Sequence, residues 1–365
     1  MKRWETWKNT LFAAVFLATL ALPLRNGLPS LQDALPPPSP TFSKFPLLAA
    51  ARVALFLPPE YERRYNDHYE GRWRRVQLYN EALLNIFQAR VFPNVLRGQE
   101  DWLFWTGEGN LDDYQNAHPF SRADLEQIEE KLSAVQERLA AQGIAFLVAP
   151  APNKETIYPE MLPPEIPKIG KQSRLDQLLA YLEENNSPVK ILDVRPVLLA
   201  NKTQRQLYYR TDTHWNDYGA YYASAEIFKA LQKDFPQLQS PVLETYRTEN
   251  ETISGDLARL LLTDPLFSEP TLQLEPLSLP RARFLEKVDR VITISEVDDA
   301  SLPRAVIFRD SFANSLEPFL SERFSRAVYP WSFQIDWELI EREQPDLVLY
   351  ELAERYLHHL KEIVP

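Results

Sequence analysis

Apolar residues follow two alternating patterns along most of the chain. Between 121 and 142 they recur in steps of three and four, which predicts an amphipathic helix that Ser121 and Asp124 begin as a capping box. The stripe consists of Leu125, Ile128, Leu132, Val135 and Leu139. An uninterrupted apolar run over 144–150 follows directly and predicts a parallel strand buried on both faces.

The same alternation continues towards the C-terminus. It predicts helices over 173–184, 218–235, 312–323 and 336–343, and strands over 189–194, 304–308, 327–329 and 346–350. Helices alternating with strands predict an α/β fold with a central, mainly parallel sheet and right-handed crossovers. An earlier helix is predicted over 73–91 and a short strand over 102–104, whereas residues 236–300 are less regular and are expected to form an insertion beside the site.

The N-terminus has the pattern of a targeting segment. Lys2, Arg3 and Lys8 precede an apolar run over 11–24, which is shorter than the roughly 20 residues of a membrane span. We therefore expect a signal peptide or an uncleaved signal anchor followed by a proline-rich linker, together residues 1–45, and one folded domain over 46–365. The alternative is a buried core helix. The basic flank predicts that the rest of the chain is exported.

Composition removes several classes of function. The net charge of −11, with no basic run beyond the N-terminus, argues against nucleic-acid binding. The chain has no cysteine, which excludes disulfides, thiolate catalysis and cysteine-ligated metals. Only 9 of 365 residues are glycine and none forms a glycine-rich phosphate loop. We therefore expect no cofactor.

Two polar clusters, over 211–216 and 309–312, are placed at the carboxyl ends of strands, where the sites of α/β sheets are found. The second cluster comes directly after the strand over 304–308, and its Ser311 lies at the turn into a predicted helix, a position that suits a nucleophile. Serine needs a base, for which His214 is the leading candidate, and Asp212 could hold the imidazole in the correct tautomer. The alternatives are a serine that only caps a helix, a structural Asp–His pair, or a pair of metal ligands.

Several segments in this order resemble the alginate O-acetyltransferase family. They are RGQEDWLFW, APAPNKETIYPEMLP, TDTHWNDYGA, SGDLARLL, RDSFANSLEPFL and QPDLVLYELAERYL, which together cover roughly residues 60 to 357. The resemblance implies an SGNH-hydrolase-like three-layer fold and a catalytic triad of Asp212, His214 and Ser311. The chain departs from the family pattern at Arg309, where a glycine often precedes the Asp-Ser pair.

The resemblance also implies partners. It points to the single-domain, membrane-anchored type of the family, to a polysaccharide acceptor, and to a multi-spanning membrane acyltransferase that supplies acetyl groups. It also implies a location at the periplasmic face of the inner membrane or in the periplasm. Asn153 is a candidate second oxyanion donor, with turn or cap chemistry as its alternative. Tyr209 and Trp215 are candidate sugar-stacking residues, with a place in the core as theirs.

Three functions remain open at the level of the sequence. The leading one is an exported O-acetyltransferase that forms an acetyl-serine and passes the acetyl group to an exopolysaccharide hydroxyl. The second is a carbohydrate esterase with the same triad, in which water resolves the acyl-enzyme. The third is a non-catalytic scaffold of a polysaccharide secretion complex.

Overall fold

The computed structural model describes residue 14 and residues 72–264, 266–285 and 292–365. The predicted targeting segment and linker over 1–45 therefore lie outside the described residues, apart from residue 14. Among the helices that are described, none has both the length and the apolar character needed to cross a bilayer. The chain divides into two units, 1–88 and 89–365. The described part of the first unit contains helix α1, Arg72–Asn85.

The second unit is an α/β structure. Its strands are β1 Val91–Phe92, β2 Val95–Arg97, β3 Leu103–Trp105, β4 Ala145–Ala151, β5 Tyr246–Ile253, β6 Glu269–Pro276, β7 Arg283–Phe284, β8 Ile292–Glu296, β9 Arg304–Phe308, β10 Arg326–Pro330 and β11 Leu347–Ala353. Its α-helices are α2 Asn110–Tyr114, α3 Arg122–Ala140, α4 Lys154–Ile157, α5 Arg174–Glu184, α6 Arg195–Asn201, α7 Asp217–Leu231, α8 Asp256–Leu260, α9 Glu317–Ser321 and α10 Trp337–Glu343. Short 3₁₀ segments include Ser311–Ser315 and Glu354–Glu362.

The central sheet has six strands in the order β4-β11-β9-β10-β8-β7. The first four run parallel to one another. At one edge β8 pairs antiparallel with β10, and β7 pairs antiparallel with β8. A separate antiparallel pair joins β5 to β6, and β1, β2 and β3 form a small antiparallel sheet. The predicted α/β class with a mainly parallel sheet is confirmed.

Helices cover both faces of the central sheet. Successive side chains of a strand point to opposite faces, so a strand that is apolar throughout contributes to a core on each side. Ala305 and Ile307 of β9 join a core with Phe312 and Trp215, on the face that α7 covers. Val306 and Phe308 join the opposite core, which α3, α5 and α10 cover. The three layers therefore follow from strands that are apolar on both sides.

The predicted capping box is present. The Ser121 hydroxyl accepts from the Asp124 backbone N–H at 3.1 Å, while the Asp124 carboxylate accepts from the Ser121 backbone N–H at 2.9 Å. Helix α3 begins at Arg122 as this pair requires. Gly143 has φ +75°, the left-handed conformation that ends the turn before β4.

The helix predicted over 73–91 is shorter in the structure: α1 ends at Asn85, and Val91 begins strand β1.

Two further predicted elements differ from the structure. The strand over 189–194 is reduced to one bridge between Val148 and Ile191, because the Asp193 carboxylate accepts from the Arg195 N–H at 2.9 Å and turns the chain into α6. The helix over 312–323 is split into the 3₁₀ segment and α9. Pro318, without an N–H, fits only the first turn of a helix, so a new helix starts at Glu317.

The region 236–300 contains more regular structure than its sequence pattern indicates. It holds β5, β6, α8 and the edge strands β7 and β8. Strand β8 escapes the periodicity argument because its buried positions include the polar residues Thr293 and Ser295.

Candidate active site

The structure brings Asp212, His214 and Ser311 together in one hydrogen-bonded chain. His214 Nε2 lies 2.8 Å from Ser311 Oγ, and His214 Nδ1 lies 2.7 Å from Asp212 Oδ1. With the proton on Nδ1 and donated to Asp212, the Nε2 lone pair accepts the serine hydroxyl. The His214 side chain is 24% exposed, so the imidazole is open to a reactant from solvent.

The central sheet places the serine. Strand β9 ends at Phe308, and the side chain of Asp310 caps the following 3₁₀ turn by accepting from the Phe312 N–H at 2.8 Å. The other carboxylate oxygen of Asp310 accepts from the N–H of Ala353 at 2.7 Å, at the end of the neighbouring strand β11. Ser311 therefore sits at the carboxyl edge of the parallel strands, where the sequence predicts it.

Two buried charged residues place the histidine segment, residues 208–216, which has little regular structure. The Lys154 ammonium donates to the carbonyls of Tyr209, Arg210 and Asp212 at 3.1, 3.3 and 2.6 Å. Three donors thus meet three backbone acceptors. From the other side, the Glu269 carboxylate accepts from the N–H groups of Arg210 and Thr211 at 2.9 and 2.7 Å.

The segment SGDLARLL supplies a third support. The Asp256 N–H donates to Asp212 Oδ2 at 2.7 Å, and the Asp256 carboxylate accepts from the Thr213 N–H at 2.8 Å. A Cβ on Gly255 would lie 2.3 Å from the Thr211 carbonyl oxygen, so this close approach requires glycine. Sequence reasoning assigned no role to Asp256, Glu269 or Lys154, because their partners lie more than 40 residues away.

Asp212, His214 and Asp256 are also close enough together to hold a metal ion. Both oxygens of Asp212 are already engaged, one by His214 and one by the Asp256 N–H. The Asp256 Oδ2 atom lies 3.7 Å from His214 Nδ1, so the same imidazole N–H already faces both carboxylates. The group is thus arranged as an oriented imidazole with two acceptors rather than as a set of free ligands.

Burial and charge act in opposite directions on these groups. Burial works to raise the pKa of Asp212, but the hydrogen bonds and the charge of His214 outweigh it and hold this pKa at about 2. Burial, followed by the charge of Asp212, raises the pKa of Asp256. Burial lowers the pKa of Lys154 to about 8, against the attraction of neighbouring carboxylates.

The three predicted binding residues lie in different surroundings. Trp215 is 1% exposed, and its indole N–H donates to the Phe312 carbonyl at 3.0 Å, so it ties the histidine segment to the serine segment and offers no open face to a sugar. Tyr209 is partly exposed beside the site. Asn153 is buried with its Nδ2 2.9 Å from Asp113 Oδ2, and within the described residues no hydrogen bond joins it to a triad side chain.

A family model described as an SGNH hydrolase-like domain, acetyltransferase AlgX, matches residues 95–332. This stretch is more than half of the chain and contains all three triad candidates. The chain belongs to this family of SGNH hydrolase-like acetyltransferases. The predicted resemblance is thereby confirmed, as is the predicted SGNH-hydrolase-like fold.

The relatives of this chain include proteins named probable alginate O-acetylase AlgJ. The one from Pseudomonas syringae pv. tomato is 29% identical over 208 residues, 57% of this chain and 51% of that protein, so the match spans about half of the relative's length. The one from Pseudomonas fluorescens is 27% identical over 291 residues, 74% of this chain and 70% of that protein.

Two solved structures share the fold. Bacillus cereus PatB1 aligns with a TM-score of 0.55 at 16% identity, covering 72% of this chain and 96% of that one. A DHHW family protein from Eubacterium siraeum aligns with a TM-score of 0.51 at 18% identity, covering 75% and 97%. At these identities the likeness concerns the fold alone.

Proposed function

We propose that this chain is an O-acetyltransferase that transfers an acetyl group through Ser311 to a hydroxyl of an exported polysaccharide. The observation that carries the proposal is the unbroken chain from Ser311 Oγ through His214 to Asp212, at 2.8 and 2.7 Å, in a member of an acetyltransferase family. The AlgJ relatives carry the name alginate O-acetylase, which makes alginate the first acceptor to test.

The first half-reaction forms an acetyl-serine. As Ser311 Oγ attacks the acetyl carbonyl, its proton moves to His214 Nε2, and Asp212 stabilises the resulting imidazolium. The tetrahedral intermediate expels the leaving group of the donor, which takes the proton from His214. The Ser311 backbone N–H is our candidate donor to the oxyanion of this intermediate.

The second half-reaction uses the same groups in reverse. A sugar hydroxyl gives its proton to His214 Nε2 while its oxygen attacks the acetyl carbonyl. The bond to Ser311 Oγ then breaks, and the serine oxygen recovers the proton from His214. The products are an O-acetyl sugar and the free enzyme.

Location and donor are part of the proposal. The basic, apolar N-terminal pattern supports export with anchoring at the periplasmic face of the inner membrane. The resemblance to the alginate O-acetyltransferase family supports a multi-spanning membrane acyltransferase as the source of acetyl groups.

The decisive experiment is detection of the acyl-enzyme. After brief incubation with p-nitrophenyl acetate, mass spectrometry of the peptide carrying Ser311 should show one added acetyl group, and Ser311→Ala should not. Addition of alginate oligosaccharide should discharge the adduct and yield acetylated sugar. Release of free acetate at a rate that does not depend on the oligosaccharide concentration would identify an esterase. The absence of any adduct would favour the non-catalytic scaffold.

A further inference from the structure

Trp331 lies beside the nucleophile without belonging to the triad. It follows the last residue of β10, and an isolated parallel bridge pairs it with Arg309, two residues before Ser311. Ala327 and Tyr329 of β10 face the core that contains Trp215 and Phe312. By the two-residue alternation of a strand, Trp331 points to this same face of the sheet, the face on which His214 approaches Ser311.

Arg309 holds the indole of Trp331 from one side. The guanidinium carbon lies 4.6 Å from the centroid of the Trp331 ring. The guanidinium is itself fixed, since it donates to Asn314 Oδ1 at 2.8 Å and to Glu317 Oε1 at 2.9 Å. The Arg309 side chain is only 6% exposed, so this support is rigid and enclosed.

Almost half of Trp331 is exposed to solvent. Trp331 is 45% exposed, which sets it apart from the other described tryptophans of residues 89–365, all of which are buried or partly buried. An aromatic side chain that is already fixed on one side loses little conformational freedom when a ligand binds to its other side. The electron-rich face of an indole suits the C–H groups on the flat side of a pyranose ring.

We propose that the open face of Trp331 is a platform for one sugar ring of the acceptor glycan, oriented by Arg309. The proposal rests on the transferase function proposed above and adds to it the place where the acceptor binds. It also gives a role to Arg309, the residue at which this chain departs from the family pattern. Because Trp331 pairs with Arg309, two residues before Ser311, the proposal has a sugar on this platform present a neighbouring hydroxyl to the acetyl group on Ser311.

The test is a Trp331→Ala variant measured with p-nitrophenyl acetate as donor and alginate oligosaccharide as acceptor. Loss of the platform should raise the KM for the oligosaccharide roughly tenfold, while kcat at saturating acceptor changes little. Acetylation of Ser311 should proceed in the variant, because that half-reaction involves no acceptor. Trp331→Phe keeps an aromatic face and should recover most of the affinity.

The matched control is Trp337→Ala. Trp337 also packs against an arginine, with the Arg138 guanidinium carbon 3.8 Å from its ring centroid, but it contacts the core on the opposite face of the sheet. Its removal should leave the acceptor KM unchanged. An unchanged acceptor KM in Trp331→Ala would overturn the platform alone. A wild-type chain that forms the acetyl-serine but acetylates no oligosaccharide would overturn the proposed function, and the platform with it.

Discussion

The serine and histidine segments meet at one point but are held there by different means. Ser311 follows a strand in the middle of the sheet, and the cap formed by Asp310 reaches only the next turn and the adjacent strand β11. The histidine segment has a smaller frame, the antiparallel bridge between Tyr208 and Trp215 and a few further backbone hydrogen bonds. Lys154 holds its carbonyls, Glu269 holds its N–H groups, and Asp256 orients its carboxylate.

The two segments should respond differently to mutation. The sheet supports the serine segment with many backbone hydrogen bonds. Two outside side chains add one bond each: the Glu351 carboxylate accepts from the Asp310 N–H at 3.1 Å, and the Trp215 indole donates to the Phe312 carbonyl at 3.0 Å. The histidine segment depends on a few buried charged groups, each of which leaves several backbone groups unpaired when it is removed. Substitutions at remote positions should therefore disturb His214 far more than Ser311.

The largest effect is expected from Ser311→Ala, which removes the nucleophile and nothing else. Activity towards p-nitrophenyl acetate should fall by about 10⁴-fold or more. The melting temperature should stay near that of the wild type, because Ser311 contributes no support to its own segment. A variant that retains most of its activity would show that Ser311 is not the nucleophile.

Lys154→Met should affect both activity and stability. The carbonyls of Tyr209 and Asp212 would lose the ammonium as their donor, whereas that of Arg210 keeps the Leu103 N–H at 2.8 Å. A displacement of His214 by about 1 Å can cost about 100-fold in rate. Unfolding by urea should become easier by about 2 kcal/mol. Lys202→Met is the matched control, since Lys202 also donates to a backbone carbonyl, that of Ile157 at 2.6 Å, outside the histidine segment. Equal losses of activity in both variants would contradict the special role of Lys154.

Glu269→Gln should produce a smaller change of the same kind. The amide keeps one acceptor oxygen, but its N–H₂ group replaces the acceptor of one of the two N–H groups, that of Arg210 or that of Thr211. We expect about a tenfold loss of activity and about 1 kcal/mol of stability. Glu343→Gln, at a buried glutamate bonded to Arg326 at 2.7 Å, should spare activity. If both variants lose activity alike, the effect of Glu269 does not come from its hydrogen bonds to the histidine segment.

Acid should weaken the histidine segment through Asp212. Hydrogen bonds from His214 overcome burial and hold the pKa of Asp212 at about 2, below its ordinary value of 3.8. The stability from this shift is present above pH 3.8 and is lost as the pH falls through about 2, a change of about 2 kcal/mol. Urea unfolding across this range should show a shallower pH dependence in Asp212→Asn. Parallel profiles in the two proteins would argue against the shift.

Lys154 adds a test at the alkaline side. Its pKa of about 8 lies below the ordinary 10.5, so between these values the unfolded chain binds more protons and stability rises with pH. Activity should fall over the same range, because a neutral amine has only two donors for three carbonyls. Carboxylates of Glu155, Asp212, Asp256 and Glu269 surround this group and oppose its loss of charge. Lys154→Met should lose both trends, and their persistence would contradict this assignment.

The elements that periodicity predicts well are those whose contacts are regular. Helix α3 has its five apolar positions and its capping box within one stretch, and β4, β9 and β11 are apolar on both faces. Strand β8 escaped prediction because polar residues are buried in it, and the bridge at Ile191 is shorter than its apolar run because the Asp193 carboxylate turns the chain away. In these two failures a side-chain hydrogen bond or a buried polar residue outweighs periodicity, whereas Pro318 divides the helix predicted over 312–323.

The sequence by itself determined the alternation of helices and strands, the position of Ser311 after a buried strand, and the pairing of Asp212 with His214 two residues apart. Those features depend on contacts between near neighbours or on patterns that repeat. Only the tertiary structure decided that His214 reaches Ser311 across 97 positions, that Lys154 and Glu269 hold the segment between them, and that Trp215 is buried while Trp331 is open to solvent. Partners so far apart in the chain leave no periodic trace, because burial and distance exist only once the layers have packed.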